Sequence, residues 1–309
     1  MSVPSSALSL PAIVTRLRAA GCVFAEDEAV LIVSTARTPA DLAVMVDRRA
    51  LGHPLEHVLG WADFCGLRIA VDPGVFVPRR RTEFLVTQAA ALPHPPTTNP
   101  PETTPPTPDR PETTPPAADR PETVVRAADR PETTPPSSDR PETVVVDLCC
   151  GTGALGAALA AALGPVELHA VDLDPAAVRC ARRNLAAAGG RVHRGDLYEP
   201  LPASLRGRVD FLVASPPYVP TEAIRLLPTE ARIHEPRVAL DGGADGLDIV
   251  RRVIAEAAHW LSPGGHLLVE TSEHQAPQAV ETLTAHGLLP RTATSEDLNA
   301  TVLIGTRGR

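Results

Sequence analysis

The sequence predicts an α/β protein, a parallel sheet of about seven strands with flanking helices, preceded by a small helical domain and interrupted by a proline-rich insertion. Three observations predict it. Beyond residue 143, short β-branched runs alternate with helical segments. Residues 7–60 carry helical periodicity alone, and 16 of the 34 prolines lie between Pro93 and Pro141. A chain of 309 residues has room for about two domains with buried cores.

In the N-terminal region, Leu10, Ile13, Val14 and Leu17 mark one apolar stripe, followed by helical segments Glu26 to Ala36 and Pro39 to Leu51. Thr38 is placed to cap the last of these, with Pro39 in its first turn. Residues 1–60 are read as a helical domain. From Trp61 to Val77 the pattern becomes strand-like: Leu67–Val71, the turn signal Asp72-Pro73-Gly74, then Val75–Val77. A hairpin with its turn at 72–74 is expected. Thr82 to Leu92 reads as a helix, so that 61–93 holds the hairpin and a connecting helix.

Residues 94–142 repeat with period ten, reading Asp-Arg-Pro-Glu-Thr from Asp109, Asp119, Asp129 and Asp139. Solenoid repeats need apolar positions to stack, and these units have almost none. The expectation is a disordered, partly polyproline-II linker. Residues 143–309 then carry strands at Val144–Leu148, Glu167–Asp172, Arg191–Leu197, Val209–Ser215, His266–Thr271 and Thr301–Gly305. Helices are expected from Ala154, from Pro175 to Ala188, from Leu247 to Leu261 and over Ala276–His286.

Composition removes several function classes. All 29 basic residues are arginine, which excludes lysine Schiff-base chemistry and a Walker-type phosphate loop. A net charge of −8 gives no footprint for stable nucleic-acid binding. Five cysteines, none at CxxC spacing, read as reduced thiols without a metal site. No stretch is long and apolar enough to span a bilayer, so a cytoplasmic location is expected.

The run Val144 to Gly156 is a buried strand, a tight loop and a helix start. From Gly151 it matches the dinucleotide pattern GxGxxG, with Asp172 at the end of the next strand as a ribose ligand. Against a dinucleotide stands Asp147, a carboxylate just before the loop that would repel a pyrophosphate. A cationic cofactor would be attracted. S-adenosyl-L-methionine carries a sulfonium and an ammonium, so the loop Asp147, Cys149, Cys150, Gly151, Thr152 and Gly153 is read as its binding turn. Asp172 would then hold the ribose, with Asp196 and Leu197 beside the adenine. The alternative is that Asp147 and Asp196 only cap neighbouring loops.

Strand Val209–Ala214 runs into Ser215-Pro216-Pro217-Tyr218. Two prolines fix two φ angles and supply no N–H, so carbonyls there are free to project as acceptors. Such a site fits a planar NH2 group, held between the Ser215 hydroxyl oxygen and the Pro216 carbonyl and packed on the Tyr218 ring. These four residues are the expected catalytic set, with Ser215 also touching the cofactor. Methyl transfer to nitrogen would then be governed by positioning and desolvation.

The loop Asp147–Gly153, Asp172, Gly195-Asp196, Ser215–Tyr218, Glu235–Gly243 and Asp245–Asp248 resemble the release-factor glutamine methyltransferases. So do Leu59-Gly60, Phe64–Gly66, Val71–Arg79 and Thr82-Glu83. The resemblance implies a class I, Rossmann-like S-adenosylmethionine-dependent methyltransferase domain at 143–309 and a substrate-docking role for residues 1–60. It implies methylation of a glutamine side-chain amide, in the Gly-Gly-Gln motif of a class I peptide chain release factor or a related protein. The chain departs from that family at three places. Ser215 stands where the family usually has asparagine. Cys149 replaces the first loop glycine, which requires a negative φ there, and Arg80-Arg81 complete a cluster Arg79–Arg81 that reads as a solvated surface or a contact for RNA or an acidic partner. The serine form leaves two alternatives: a nucleic-acid exocyclic amino methyltransferase of the N4-cytosine or N6-adenine type, or an inactive cofactor-binding interaction protein.

Overall fold

The computed structural model describes residues 9–93 and 143–309. The period-ten repeat and the linker expected at 94–142 lie outside the described residues. In the first region four helices, α1 (Leu10–Ala19), α2 (Ala25–Thr35), α3 (Pro39–Ala50) and α4 (Leu55–Leu59), bury Ile13, Leu17, Ile32 and Val46 in a common cluster. Thr38 caps α3 as expected, its hydroxyl accepting from the Asp41 N–H at 3.1 Å. The sequence pattern did not show α4, whose five residues are too few for a readable period.

A hairpin follows, with its turn elsewhere than expected. Strand β1 (Trp61–Phe64) pairs antiparallel with β2 (Leu67–Ala70), so the turn residues are Cys65 and Gly66. Both have positive φ, 50° and 74°, the geometry that matches the twist of paired strands. Asp72-Pro73-Gly74 does turn, the Val75 N–H reaching the Asp72 carbonyl at 3.1 Å, but Val75–Val77 pairs with no strand among the described residues. Val75 and Val77 are buried separately instead. A short 3-10 turn at Arg80–Thr82 leads into α5 (Glu83–Ala90).

The remainder is one seven-stranded sheet. In chain order it holds β3 (Thr143–Leu148), α6 (Ala154–Leu163), β4 (Val166–Asp172), α7 (Pro175–Leu185), β5 (Arg191–Arg194) and β6 (Val209–Ala214). Then come α8 (Thr229–His234), α9 (Asp248–Trp260), β7 (Leu261–Thr271), α10 (Ala276–Ala285), β8 (Leu288–Ser295) and β9 (Ala300–Arg307). The strand order is β5-β4-β3-β6-β7-β9-β8. Five strands are parallel, but β9 runs antiparallel to both β7 and β8, so the sheet is not parallel throughout. A short turn with Asn299 at φ 47° joins β8 to β9, and strands joined so closely must be antiparallel. Helices α9 and α10 bury one face, around Val146, Leu212 and Trp260. Helices α5, α6 and α7 bury the other, around Val145, Phe211 and Leu268. Chain direction reverses its order of growth between β3 and β6, and the crevice beyond the carboxyl ends of such strands is where α/β sheets bind ligands. Among the described residues no helix is long and apolar enough to cross a membrane.

Candidate active site

Three strand ends build the first half of the site. Beyond β3 the loop turns through Cys149 at φ 55°, Gly151 at 54° and Gly153 at 78°. The negative φ expected for Cys149 is therefore not found. The left-handed conformation costs a residue with a Cβ about 1–2 kcal/mol, and the surroundings hold it: the Cys150 N–H is bound to the Val171 carbonyl at 3.0 Å. Asp172, at the end of β4, accepts from the Gly151 N–H at 2.8 Å and from the Asp174 N–H at 2.9 Å. Burial raises its carboxyl above the usual range, and those two N–H groups work against the rise. After β5, Leu197 also takes a positive φ, 48°, and Asp196 is tied to Arg252 at 2.7 Å.

These ends enclose a cavity of about 150 Å³ lined by Cys149, Gly151, Asp172, Leu173, Asp174, Asp196, Leu197, Ser215, Pro217 and Ile249, among others. Of the residues expected at the cofactor, Cys149, Gly151, Asp172, Asp196, Leu197 and Ser215 are brought together here. Cys150 and Thr152 instead line a smaller cavity on the other side of the loop, and Gly153 caps α6. Asp147 lines neither. Its carboxylate is fully buried beneath the loop, one oxygen accepting from the Gly156 N–H at 3.0 Å and the other without a partner among the described residues. Burial pushes it up to about 7.

A second cavity, about 270 Å³, opens on the far side of Ser215 and is lined by Pro216, Tyr218, Arg79, Arg81, Glu230, Glu235 and Glu270. Ser215, Phe76 and Ala239 line both cavities. The four residues of the Ser215–Tyr218 segment therefore divide between them: Pro217 faces the first, Pro216 and Tyr218 the second, and Ser215 the junction. No donor among the described residues engages the Pro216 carbonyl.

The Glu235–Asp248 segment explains why the tetrapeptide stays in place. The Val219 N–H donates to the Leu240 carbonyl at 3.0 Å, the Gly242 N–H to the Val219 carbonyl at 2.9 Å, and the Thr221 N–H to the Gly243 carbonyl at 2.9 Å. Gln275 closes the brace, its amide donating to the Tyr218 and Asp245 carbonyls, each at 2.9 Å. A Cβ on Gly242 would stand 2.7 Å from the Pro217 carbonyl oxygen and 2.8 Å from the Tyr218 Cα. Since both are backbone atoms, Gly242→Ala must displace the tetrapeptide. Steady-state kinetics should show kcat/KM about 10- to 100-fold lower, with cofactor affinity little changed.

The Arg79–Arg81 cluster is only in part the solvated face expected of it: Arg80 is exposed, while its two neighbours engage buried carboxylates. Arg79 clamps Glu235 through one nitrogen at 2.5 and 2.6 Å, and Arg81 Nε reaches Glu270 at 3.1 Å. Glu270, 2 % exposed, also accepts from the hydroxyls of Thr82 at 2.5 Å, Tyr218 at 3.0 Å and Ser215 at 3.3 Å. The burial of Tyr218 itself, with the Glu270 charge adding to it, raises the phenol above its ordinary range. Sequence reasoning missed Glu270 and Phe76. The signal for Glu270 was a single carboxylate ending the apolar run Leu267-Leu268-Val269, where an unpaired charge is untenable.

A methyltransferase small domain model matches residues 136–244. The chain is 34% identical over 244 residues to a release factor glutamine methyltransferase of Geobacter sulfurreducens, covering 77% of this chain and 68% of that one. Against the Mycolicibacterium smegmatis protein of the same description it is 34% identical over 255 residues, 82% and 74% of the two chains. The chain belongs to the release factor glutamine methyltransferase family. A 4-amino-L-phenylalanine/4-methylamino-L-phenylalanine methyltransferase of Streptomyces pristinaespiralis is 32% identical over 234 residues, covering 74% of this chain and 65% of that protein.

As a member of that family the protein is an S-adenosylmethionine-dependent methyltransferase. The residues present fit the cofactor's charge. The first cavity gathers Asp172, Asp174 and Asp196 with one arginine, and the orphaned Asp147 oxygen lies beneath the loop. Such a set repels a pyrophosphate and attracts a cation.

Proposed function

We propose that this methyltransferase acts on the side-chain amide nitrogen of a glutamine in a protein, the Gly-Gly-Gln motif of a class I peptide chain release factor being the favoured substrate. One observation carries the reading. Ser215 stands at the junction of two cavities, one acidic and suited to a cationic nucleoside, the other floored by the free Pro216 carbonyl and the Tyr218 ring. Bound adenosylmethionine supplies an electrophilic methyl group. Asp172, Asp196 and Leu197 would hold its nucleoside, with Cys149 and Gly151 of the loop beside it; Asp147 would act on its charge from beneath that loop, and Cys150, Thr152 and Gly153 would maintain the loop's shape.

The protein's own groups do the rest. Ser215 Oγ and the Pro216 carbonyl accept hydrogen bonds from the two amide N–H groups, which keeps electron density on nitrogen and turns its lone pair toward the first cavity; the methylated nitrogen then sheds one of those protons to solvent. Tyr218 packs on the amide plane, and Phe76 and Ala239 shield the junction from water. Catalysis is positioning and desolvation. The helical region at residues 1–60 would dock the substrate protein, and the reaction would belong to the cytoplasm. Two of the three arginines at 79–81 are spent on internal carboxylates, which supports a protein substrate over a nucleic acid.

Incubation with labelled adenosylmethionine and purified release factors should label one glutamine, located by mass spectrometry. Labelling of nucleic acid or of a free aromatic amine in preference to the release factor would overturn the reading. In the same assay Tyr218→Ala should lower kcat about 100-fold while cofactor affinity stays within about threefold. Asp172→Ala should do the reverse. Losing its bonds to the cofactor and the Gly151 N–H should weaken adenosylmethionine binding by about 2 kcal/mol or more, roughly 30-fold.

A further inference from the structure

Ser215 poses a chemical problem. An amide side chain presents a carbonyl oxygen by its covalent structure, whereas a hydroxyl is donor and acceptor at once, and its proton turns toward whatever accepts it. A Ser215 proton pointing into the second cavity would meet the N–H of an incoming amide. The structure supplies the remedy on the neighbouring strand. Register between β6 and β7 sets Ala214 beside Val269, which brings Ser215 next to Glu270.

The Glu270 carboxylate is saturated. One oxygen takes Arg81 Nε at 3.1 Å and the Tyr218 hydroxyl at 3.0 Å; the other takes the Thr82 hydroxyl at 2.5 Å and the Ser215 hydroxyl at 3.3 Å. A carboxylate has about four lone-pair sites, and four donors fill them. Ser215 has one proton, and here it is committed.

We infer that Glu270, in the wall of the substrate cavity, is a positioning residue that holds the Ser215 proton against that wall, out of the amide's path, and so makes the Ser215 oxygen a pure acceptor for the amide N–H. It does not touch the reacting atoms. It acts through Ser215, whose hydroxyl it holds at 3.3 Å. This inference rests on the proposed reading of the second cavity as an amide site.

Two measurements test it. Neutron diffraction from deuterated crystals of the parent protein should place the Ser215 deuteron on the line to Glu270; a deuteron aimed into the cavity overturns the inference whatever the substrate proves to be. In kinetics, Glu270→Gln preserves shape but faces two of the four donors with an NH2 group. It should lower kcat/KM for a Gly-Gly-Gln substrate at least about 30-fold, with adenosylmethionine affinity, measured by calorimetry, within about twofold. On a Ser215→Asn background, whose amide oxygen needs no proton drawn elsewhere, the same change should cost less than about threefold. An equal loss on both backgrounds, or no loss on the parent, overturns the inference. A parent that labels no Gly-Gly-Gln protein overturns the reading beneath it, and is told apart because the failure then precedes any substitution.

Discussion

Replacing Asp147 by asparagine should remove a pH dependence of stability that the parent protein shows between about pH 4 and 7. In the unfolded chain this carboxyl ionises near the ordinary carboxylate value, about 4. In the fold, burial pushes it up to about 7, with the Asp172 charge adding to the rise and the Gly156 N–H opposing it. Between those values the native state binds a proton that the unfolded state has lost. The parent's stability therefore falls, relative to the variant, as pH rises through the window, by up to about 1.4 kcal/mol per pH unit. Above pH 7 the difference levels off. Urea denaturation of both proteins at pH 5, 6, 7 and 8 measures the slope, and parallel profiles would show that Asp147 is already ionised at pH 5. Adenosylmethionine should protect the parent more than the variant at pH 8, because only the parent sets a buried anion beneath its cation.

The second large effect is expected at Arg49. Its Nε and Nη2 take the two oxygens of Glu28 at 2.6 and 3.0 Å, Nη1 donates to the His53 carbonyl at 2.9 Å, and the same nitrogen pairs with Glu230 on α8. The Arg49 and Glu28 side chains are only 11% and 10% exposed. Arg49→Ala strands the Glu28 charge in that setting, which in comparable buried pairs costs about 3–5 kcal/mol. Glu230 lines the second cavity, so surviving protein should also show a raised KM for its substrate. Exchanging both partners, Arg49→Met with Glu28→Leu, should recover most of the stability, since no charge is then left behind. It should leave the KM defect uncorrected, because Glu230 still lacks its anchor. Equilibrium unfolding and substrate titrations separate the two outcomes.

How much of this was legible in the sequence follows from what each signal depends on. The runs Val144–Leu148 and Val209–Ala214 are largely buried, so an apolar stretch interrupted by a single aspartate and ending in a glycine loop or in Ser-Pro-Pro-Tyr identified each without any knowledge of neighbours. Strand β8 is an exposed edge with Pro290 and Arg291 in its middle, a composition that no period marks. The hairpin turn was misplaced because Asp-Pro-Gly is the stronger local signal, whereas Cys65-Gly66 depends on what β1 and β2 pair with. Cys149 had no local means of announcing a positive φ; the contacts that hold it come from β4. Glu270 lies 55 positions from Ser215, and only the sheet order makes them neighbours. Chemistry carried by one loop could be read directly, and chemistry assembled across two strands could not.

The two ends of chain that bracket residues 94–142 both attach at the amino edge of the sheet. Thr143 opens β3, and the Pro93 carbonyl meets a ring nitrogen of His266 at 3.2 Å, where β7 resumes its pairing with β6 after a register shift. The ligand crevice lies at the carboxyl edge, the full length of a strand away. Evolution can therefore lengthen, shorten or rewrite that junction without editing the rim where methyl donor and acceptor meet, and a protein engineer wanting to splice in a reporter has the same freedom.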